Sequence, residues 1–244
     1  MKDKISFVFP SRKRPKKAIS CIENVLKKAK NPENIEIVFV FDNDDVDSVK
    51  EILSHEIVKS NNVKYIMVDR DQQNFGELYN IGFRETTHDI IGIIADDVIV
   101  ETDLWDEHIF QAASRIPDEI YILIPDDGQN VMATHFFTSR KVIEIMKFLQ
   151  PPWFVADFGD MWFTEVFSSI QRAFALPNVK FTHVHYTHGS CEKDETYEDA
   201  SERRKGVPNF SSPDHPYKKY GYVRQQQIED LQKIIKKGDI DAQG

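Results

Sequence analysis

The feature that most constrains the fold is a repeated exchange between two periodicities in the first part of the chain. Short apolar runs with little polar alternation occupy 5–9, 35–41, 63–68 and 90–94. Between the first two lies a stretch, 16–30, with Ala18, Ile19, Ile22, Val25, Leu26 and Ala29 at helical spacing. Further helices are predicted over 46–59 and 75–85. Strands that read as continuously apolar are buried on both faces, and parallel strands need long crossovers. The pattern therefore predicts an α/β fold, Rossmann-like, with a mostly parallel central sheet flanked by helices.

The second half is less regular. Helices are predicted over 105–116, 139–149, 160–171 and 225–237, and strands over 120–124, 135–138 and 179–188. Residues 189–222 are polar and rich in turn formers, and read as one long loop. No internal repeat or low-complexity segment is evident. Hydrophobic residues make up 41% of the chain, enough for a substantial core. No apolar run approaches the roughly 20 residues of a membrane span. The start, Met1-Lys-Asp-Lys-Ile, lacks the apolar stretch and cleavage site of a signal peptide. Cys21 and Cys191 are too few for a disulfide framework. These features predict a cytosolic setting, with peripheral association with a membrane left open.

The net charge of −9 argues against broad attraction to nucleic acid. Yet Arg12, Lys13, Arg14, Lys16 and Lys17 form a basic knot directly after the first strand, readable as a solvated loop or as a phosphate site. In an open parallel sheet, ligands bind beyond the carboxyl ends of the strands. Pro10, Ser11, Arg12 and Arg14 follow the first strand; Asp42, Asn43, Asp44 and Asp45 follow the second; Asp96 and Asp97 follow the fourth. One basic and two acidic clusters thus converge on one edge. Two carboxylates roughly 4 Å apart repel by about 4 kcal/mol at an effective dielectric of about 20. The Asp96–Asp97 doublet needs solvent, a proton or a cation between its members. Mg²⁺ or Mn²⁺ suits such a site and is commonly shared with substrate phosphates. A polar turn is the plainer alternative.

With these residues in hand, a resemblance emerges. Phe7-Val-Phe-Pro-Ser-Arg-Lys-Arg-Pro resembles the first strand and loop of GT-A fold glycosyltransferases, particularly the family 2 type. Val38-Phe-Val-Phe-Asp-Asn-Asp-Asp is similar to their second strand, and Asn74-Phe-Gly-Glu-Leu-Tyr-Asn-Ile-Gly-Phe to their helix start bearing glycine and asparagine. Ile91-Gly-Ile-Ile-Ala-Asp-Asp-Val is similar to the region of the Asp-x-Asp metal motif, with Ala95 in the place of its first aspartate. The resemblance covers roughly residues 4 to 190 and implies one GT-A-like domain over 1–244. Within it, 1–100 would bind nucleotide, 101–190 would hold the acceptor and catalytic half, and 191–244 would form an irregular lid and a C-terminal helix.

What the resemblance implies for the site is specific. Asp97 would ligate Mn²⁺ or Mg²⁺, and Asp96 would bind a ribose hydroxyl or a metal-bound water. Asp42 would accept from a uracil-type base, with Pro10, Ser11 and Asn80 in the nucleotide pocket. Arg12 or Arg14 would pair with the diphosphate. Asp44 and Asp45 read better as helix caps. In Trp153-Phe-Val-Ala-Asp-Phe-Gly-Asp-Met-Trp-Phe, a carboxylate would act as general base, Asp160 ahead of Asp157. Either aspartate could instead serve the start of the following helix. Trp153 and Trp162 could stack on a ring, although Trp162 reads equally as core. In His183-Val-His-Tyr-Thr-His, alternation puts His183 and His185 on one face. His188 is first choice to complete the metal site, and His185 second.

The expected function is transfer of a sugar from a nucleotide-diphosphate sugar, with a UDP-sugar favoured, to an acceptor hydroxyl with inversion. The acceptor is open among a glycan, a lipid-linked sugar, a protein and a modified nucleic-acid base. Two alternatives stand beside it. A nucleotidyltransferase making a sugar nucleotide would usually carry a glycine-rich loop after the first strand, and Pro10-Ser-Arg-Lys-Arg-Pro has no glycine. A non-catalytic nucleotide-sugar-binding module would explain the incomplete Asp-x-Asp motif but not Asp157 and Asp160.

Overall fold

The structure is a computed structural model that describes residues 3–69, 74–128, 132–186, 189 and 191–241. The apolar runs form β1 (Ile5–Ser11), β2 (Ile35–Asp42), β3 (Val63–Val68) and β4 (Ile90–Ile93). The helical stretches form α1 (Pro15–Lys28), α2 (Val46–Ser54), α3 (Glu56–Lys59) and α4 (Phe75–Glu85). The helix expected over 46–59 is split because the backbone of His55 is extended. β1, β2, β3 and β4 are mutually parallel where they pair, as their composition requires.

The remaining elements extend the sheet rather than repeat its pattern. They are β5 (Val98–Val100), α5 (Trp105–Ser114), β6 (Ile122–Asp126), β7 (Phe136–Ser139), α6 (Arg140–Met146), α7 (Gly159–Ser169), β8 (Ala173–His183), α8 (Glu195–Arg204), α9 (Pro216–Lys219) and α10 (Gly221–Asp241). The strand order is β3-β2-β1-β4-β7-β6-β8-β5. β7 runs antiparallel to both β4 and β6, β8 runs parallel to β6, and the short β5 pairs antiparallel with the end of β8.

Alternate residues of the central strands feed two cores. Ile5, Phe7 and Phe9 face a layer with α1, α2 and Trp105 of α5. Val8, Val40 and Ile91 face the other, with Tyr79 of α4, Trp162 and Phe163 of α7, and Leu231 of α10. Both faces are therefore covered, and polar chemistry is displaced to the strand ends. Gly92 is dictated by this packing: a Cβ there would stand 2.6 Å from the Phe7 ring.

Two expectations from the sequence need correction. The strand placed at 179–188 is β8, which begins earlier and ends at His183. Pro177-Asn178 lies within it, where a register shift opposite Pro125/Asp126 absorbs the irregularity. The long loop at 189–222 contains α8 and α9. Asp194 caps α8 by accepting from the Tyr197 amide at 3.3 Å, with Glu195 and Glu198 in the first turn and Arg203 and Arg204 in the last.

Candidate active site

The parallel strands β1, β2 and β4 deliver Ser11, Asp42 and the Asp96–Asp97 doublet to one edge of the sheet, where a cavity of about 460 Å³ opens. Its floor is highly charged for its burial. Ser11 Oγ donates to Asp96 Oδ2 at 3.0 Å, and Arg14 Nη1 lies 3.0 Å from Asp96 Oδ1 and 3.5 Å from Asp97 Oδ2. Burial, reinforced by the neighbouring Asp97 charge, pushes the Asp96 carboxyl up to about 6 against the pull of Arg14. Burial acts the same way on Asp97, but His183, Tyr197 and Arg14 outweigh it and hold Asp97 well below the usual carboxylate range. The repulsion anticipated for the doublet is relieved by a guanidinium and by the two groups titrating apart.

Arg12 faces the second acidic cluster. Its Nη1 donates to Asp42 Oδ2 at 3.2 Å, and its fork grips Asp44, with Nη2 to Oδ2 at 2.8 Å. Lys13, in the left-handed region at φ 55°, turns its amide onto Asp45 Oδ2 at 2.6 Å. Asp44 and Asp45 are thus tied to the basic loop. Asp45 occupies the N-cap position of α2, yet its side chain makes no capping bond.

The end of β8 supplies the histidines. Val98 pairs in register with His183, and the Val184 amide donates to Asp97 O at 2.8 Å. His183 Nε2 consequently stands 3.2 Å from Asp97 Oδ1. The His185 ring lies against Tyr186 and Tyr197, both at 4.7 Å between centroids. His188 lies outside the described residues. His135, just before β7, places its ring edge-on to His183 at 4.7 Å. Burial, with His183 adding to it, lowers the His135 pKa to about 3, so its imidazole is neutral.

The opposite wall is the segment between α6 and α7. Phe154, Asp157, Phe158 and Asp160 line the cavity there. Asp160 opens α7 and its Oδ1 accepts from the Met161 amide at 2.8 Å; burial raises its pKa. Asp157 is more exposed and is held by the Arg204 fork, with Nη2 to Oδ1 at 2.7 Å. A half-buried carboxyl with a raised pKa and a more solvated, ion-paired one therefore stand on the same wall.

The sequence profile of glycosyl transferase family 2 matches residues 6–197, most of the chain, running from β1 through β8 to the first turn of α8. The chain belongs to this family. It is accordingly a nucleotide-sugar-dependent glycosyltransferase. No curated protein sequence matches the transferase. Among solved structures, TarS 1-349 of S. aureus superposes with a TM-score of 0.56 at 13% identity, over 96% of this chain and 92% of that one. The same protein in complex with UDP-GlcNAc gives 0.56 at 16% identity, over 81% and 64%. The mannosyltransferase PcManGT from Pyrobaculum calidifontis, in complex with GDP-Man and Mn²⁺, gives 0.59 at 11%, over 97% and 75%. At these identities the likeness establishes the GT-A fold.

Most residues singled out in the transferase's sequence share this one cavity: Pro10, Ser11, Arg12, Arg14, Asp42, Asp96, Asp97, Asp157, Asp160 and His185 all line it. Asn80 does not. Its Oδ1 accepts from the amides of Leu149 and Gln150 at 2.8 and 3.0 Å, and its Nδ2 donates to Gln150 O at 2.8 Å. It clamps the segment between α6 and α7 onto α4, beside Gly76, where a Cβ would lie 2.2 Å from Pro151 O. Neither Trp153 nor Trp162 stacks in the cavity. Trp162 is fully buried and donates to Gln227, and Trp153 stacks on Tyr220 at 4.3 Å.

Sequence reasoning missed the helix that roofs the site. Tyr197 of α8 donates its hydroxyl to Asp97 Oδ2 at 2.6 Å, and the Arg14 guanidinium lies 4.0 Å from its ring centre. Asp194 receives Arg14 through Nε and Nη2 at 2.9 and 2.7 Å and Lys17 at 3.0 Å; Thr196 donates to Arg12 O at 3.0 Å. A signal was present: Asp194-Glu-Thr-Tyr-Glu, ending in Arg203-Arg-Lys, has the charge gradient of a helix complementing its dipole.

Proposed function

We propose that the transferase moves a sugar from a nucleotide-diphosphate donor, a UDP-sugar by preference, to an acceptor hydroxyl with inversion. Asp160 is the general base and Asp97 the ligand of Mn²⁺ or Mg²⁺. One observation carries this reading: Asp42, Asp97 and Asp160 face one cavity from three directions, so a base, a diphosphate and an acceptor can be held in line. The donor complexes of TarS with UDP-GlcNAc and of PcManGT with GDP-Man and Mn²⁺ support a nucleotide sugar and a divalent ion, on a shared fold.

Asp97 fits such an ion chemically. It is a buried oxygen donor held in its charged form, and burial pushes Asp96 beside it up to about 6. When bound, the ion supplies charge stabilisation to the departing diphosphate. The rest falls to the chain. Asp42 accepts a hydrogen bond from the base, Arg12 and Arg14 turn from their carboxylates to the phosphates, and Asp160 takes the proton of the attacking hydroxyl. In this reading residues 1–100 hold the donor, 101–190 the acceptor, and 191–244 close over both and exclude water. The acceptor itself stays within the hydroxyl-bearing classes named above.

Thermal denaturation with nucleoside diphosphates and sugar nucleotides, with and without Mn²⁺, tests the donor assignment. At about 100 times its dissociation constant a native-state ligand adds about 2.7 kcal/mol, a rise of roughly 5–10 °C for a chain of this size. The expected result is a metal-dependent rise with one uridine nucleotide that Asp97→Ala abolishes. A rise unaffected by metal and by Asp97→Ala would refute the metal assignment.

The acid limb of kcat/KM gives a second test. A base works only when deprotonated, so activity falls as pH drops through its pKa. Because burial raises Asp160, that limb should lie above the value of about 3.9 for a free aspartate. A limb at or below that value would exclude Asp160.

A further inference from the structure

Among the described residues, one cluster of ligating side chains lies on the wall of the same cavity, beside the residues assigned to the donor. Asp127 directly follows β6, His135 directly precedes β7 and His183 ends β8, and their ligating atoms all lie within 4.8 Å of one another. The convergence is built by the sheet: the His183 amide donates to Asp127 O at 3.1 Å, and β6 and β7 form one antiparallel pair. The side chains of His135 and Asp127 are only 2% and 3% exposed. His135 Nδ1 makes no hydrogen bond among the described residues, and the nearest carboxylate oxygen, Asp127 Oδ2, is 3.9 Å away, too far to satisfy it. An unmet buried nitrogen of this kind is costly unless something occupies the space before it.

Two imidazoles and one carboxylate form a mixed nitrogen and oxygen donor set. Such a set favours borderline transition metals such as Zn²⁺ and Co²⁺, whereas Mg²⁺ prefers oxygen alone. We propose that Asp127, His135 and His183 bind a divalent transition-metal ion at a site separate from the ion assigned to Asp97. His183 is the member common to both neighbourhoods, since its Nε2 faces Asp97. An ion at the triad would fix that ring and, through it, the Asp97 carboxylate.

Co²⁺ is the probe. The chelator-stripped 244-residue chain, free of nucleotide and in excess Mg²⁺ to fill oxygen sites, is titrated while its visible d–d absorption is recorded. The expected result is a band saturating at about one ion per chain, retained in Asp97→Asn and weakened at least about tenfold in His135→Gln and Asp127→Asn. Circular dichroism establishes that each variant is folded. Should a variant fail that check, pulsed electron paramagnetic resonance of Cu²⁺ on the wild-type protein counts the coordinated imidazoles, with two expected. Absence of the band in the wild-type protein, its loss in Asp97→Asn, its persistence in folded His135→Gln and Asp127→Asn, or fewer than two imidazoles would each overturn the proposal. Because donor binding is read without the triad and the triad without nucleotide, failure of either assignment leaves the other measurable.

Discussion

Asp160→Asn is expected to lower kcat by about 10²–10⁴-fold while leaving nucleotide affinity near that of the wild-type protein. Asparagine keeps the shape and can still accept from the Met161 amide, but it cannot take a proton from the acceptor. Asp157→Asn should be far milder. That carboxylate is already engaged by Arg204 in a half-exposed pair, and such pairs are worth at most about 1 kcal/mol. Steady-state kinetics with both substrates varied separates the two. A severe kcat loss confined to Asp157→Asn would exchange their roles, and no loss in either would remove carboxylate base catalysis from the mechanism.

Asn80→Ala should produce the largest stability loss of any single change near the site, about 3 kcal/mol or more. Truncation strands two amides and one carbonyl of Leu149 and Gln150 in a buried setting, each worth about 1–3 kcal/mol when unmet. For a chain of this length that corresponds to a melting temperature roughly 6–12 °C lower. The folded fraction should keep its nucleotide affinity, since Asn80 does not line the cavity. Selective loss of nucleotide binding with unchanged melting would restore the direct contact expected from the sequence.

The fold was legible where local pattern and long-range pairing agree. The parallel strands announced themselves because burial on both faces removes polar residues, and their common direction fixed which loops would meet. Ser11, Asp42 and Asp97 could thus be placed on one edge without coordinates. Legibility failed where register decides. β5 is three residues long, and β8 carries Pro177-Asn178 inside it with a half-exposed pattern, so neither has a clear period. Asp127 and His135 flank the connection between β6 and β7, but what gives them a setting is His183, brought beside them by the pairing of β6 with the distant β8. The bonds of Asn80 were hidden for a related reason: the motif around it is visible, but its partners lie on a segment some seventy residues away. α8 differs again. Its ends were marked by charge, but its polar sequence offers no apolar face to a core, because what it packs against is the charged rim of the site.

That rim has a thermodynamic consequence. With Tyr197 and Arg14 seated on Asp97, any ligand of Asp97 is in competition with the protein's own side chains. The apparent affinity is then the intrinsic one multiplied by the fraction of molecules whose roof is lifted. Because ion pairs contribute much of the closure, that fraction grows as salt screens them. Under the proposed roles of Asp97 and the basic loop, measured donor binding reports two equilibria at once, and ionic strength moves them in opposite directions, loosening the roof while weakening the grip on the diphosphate.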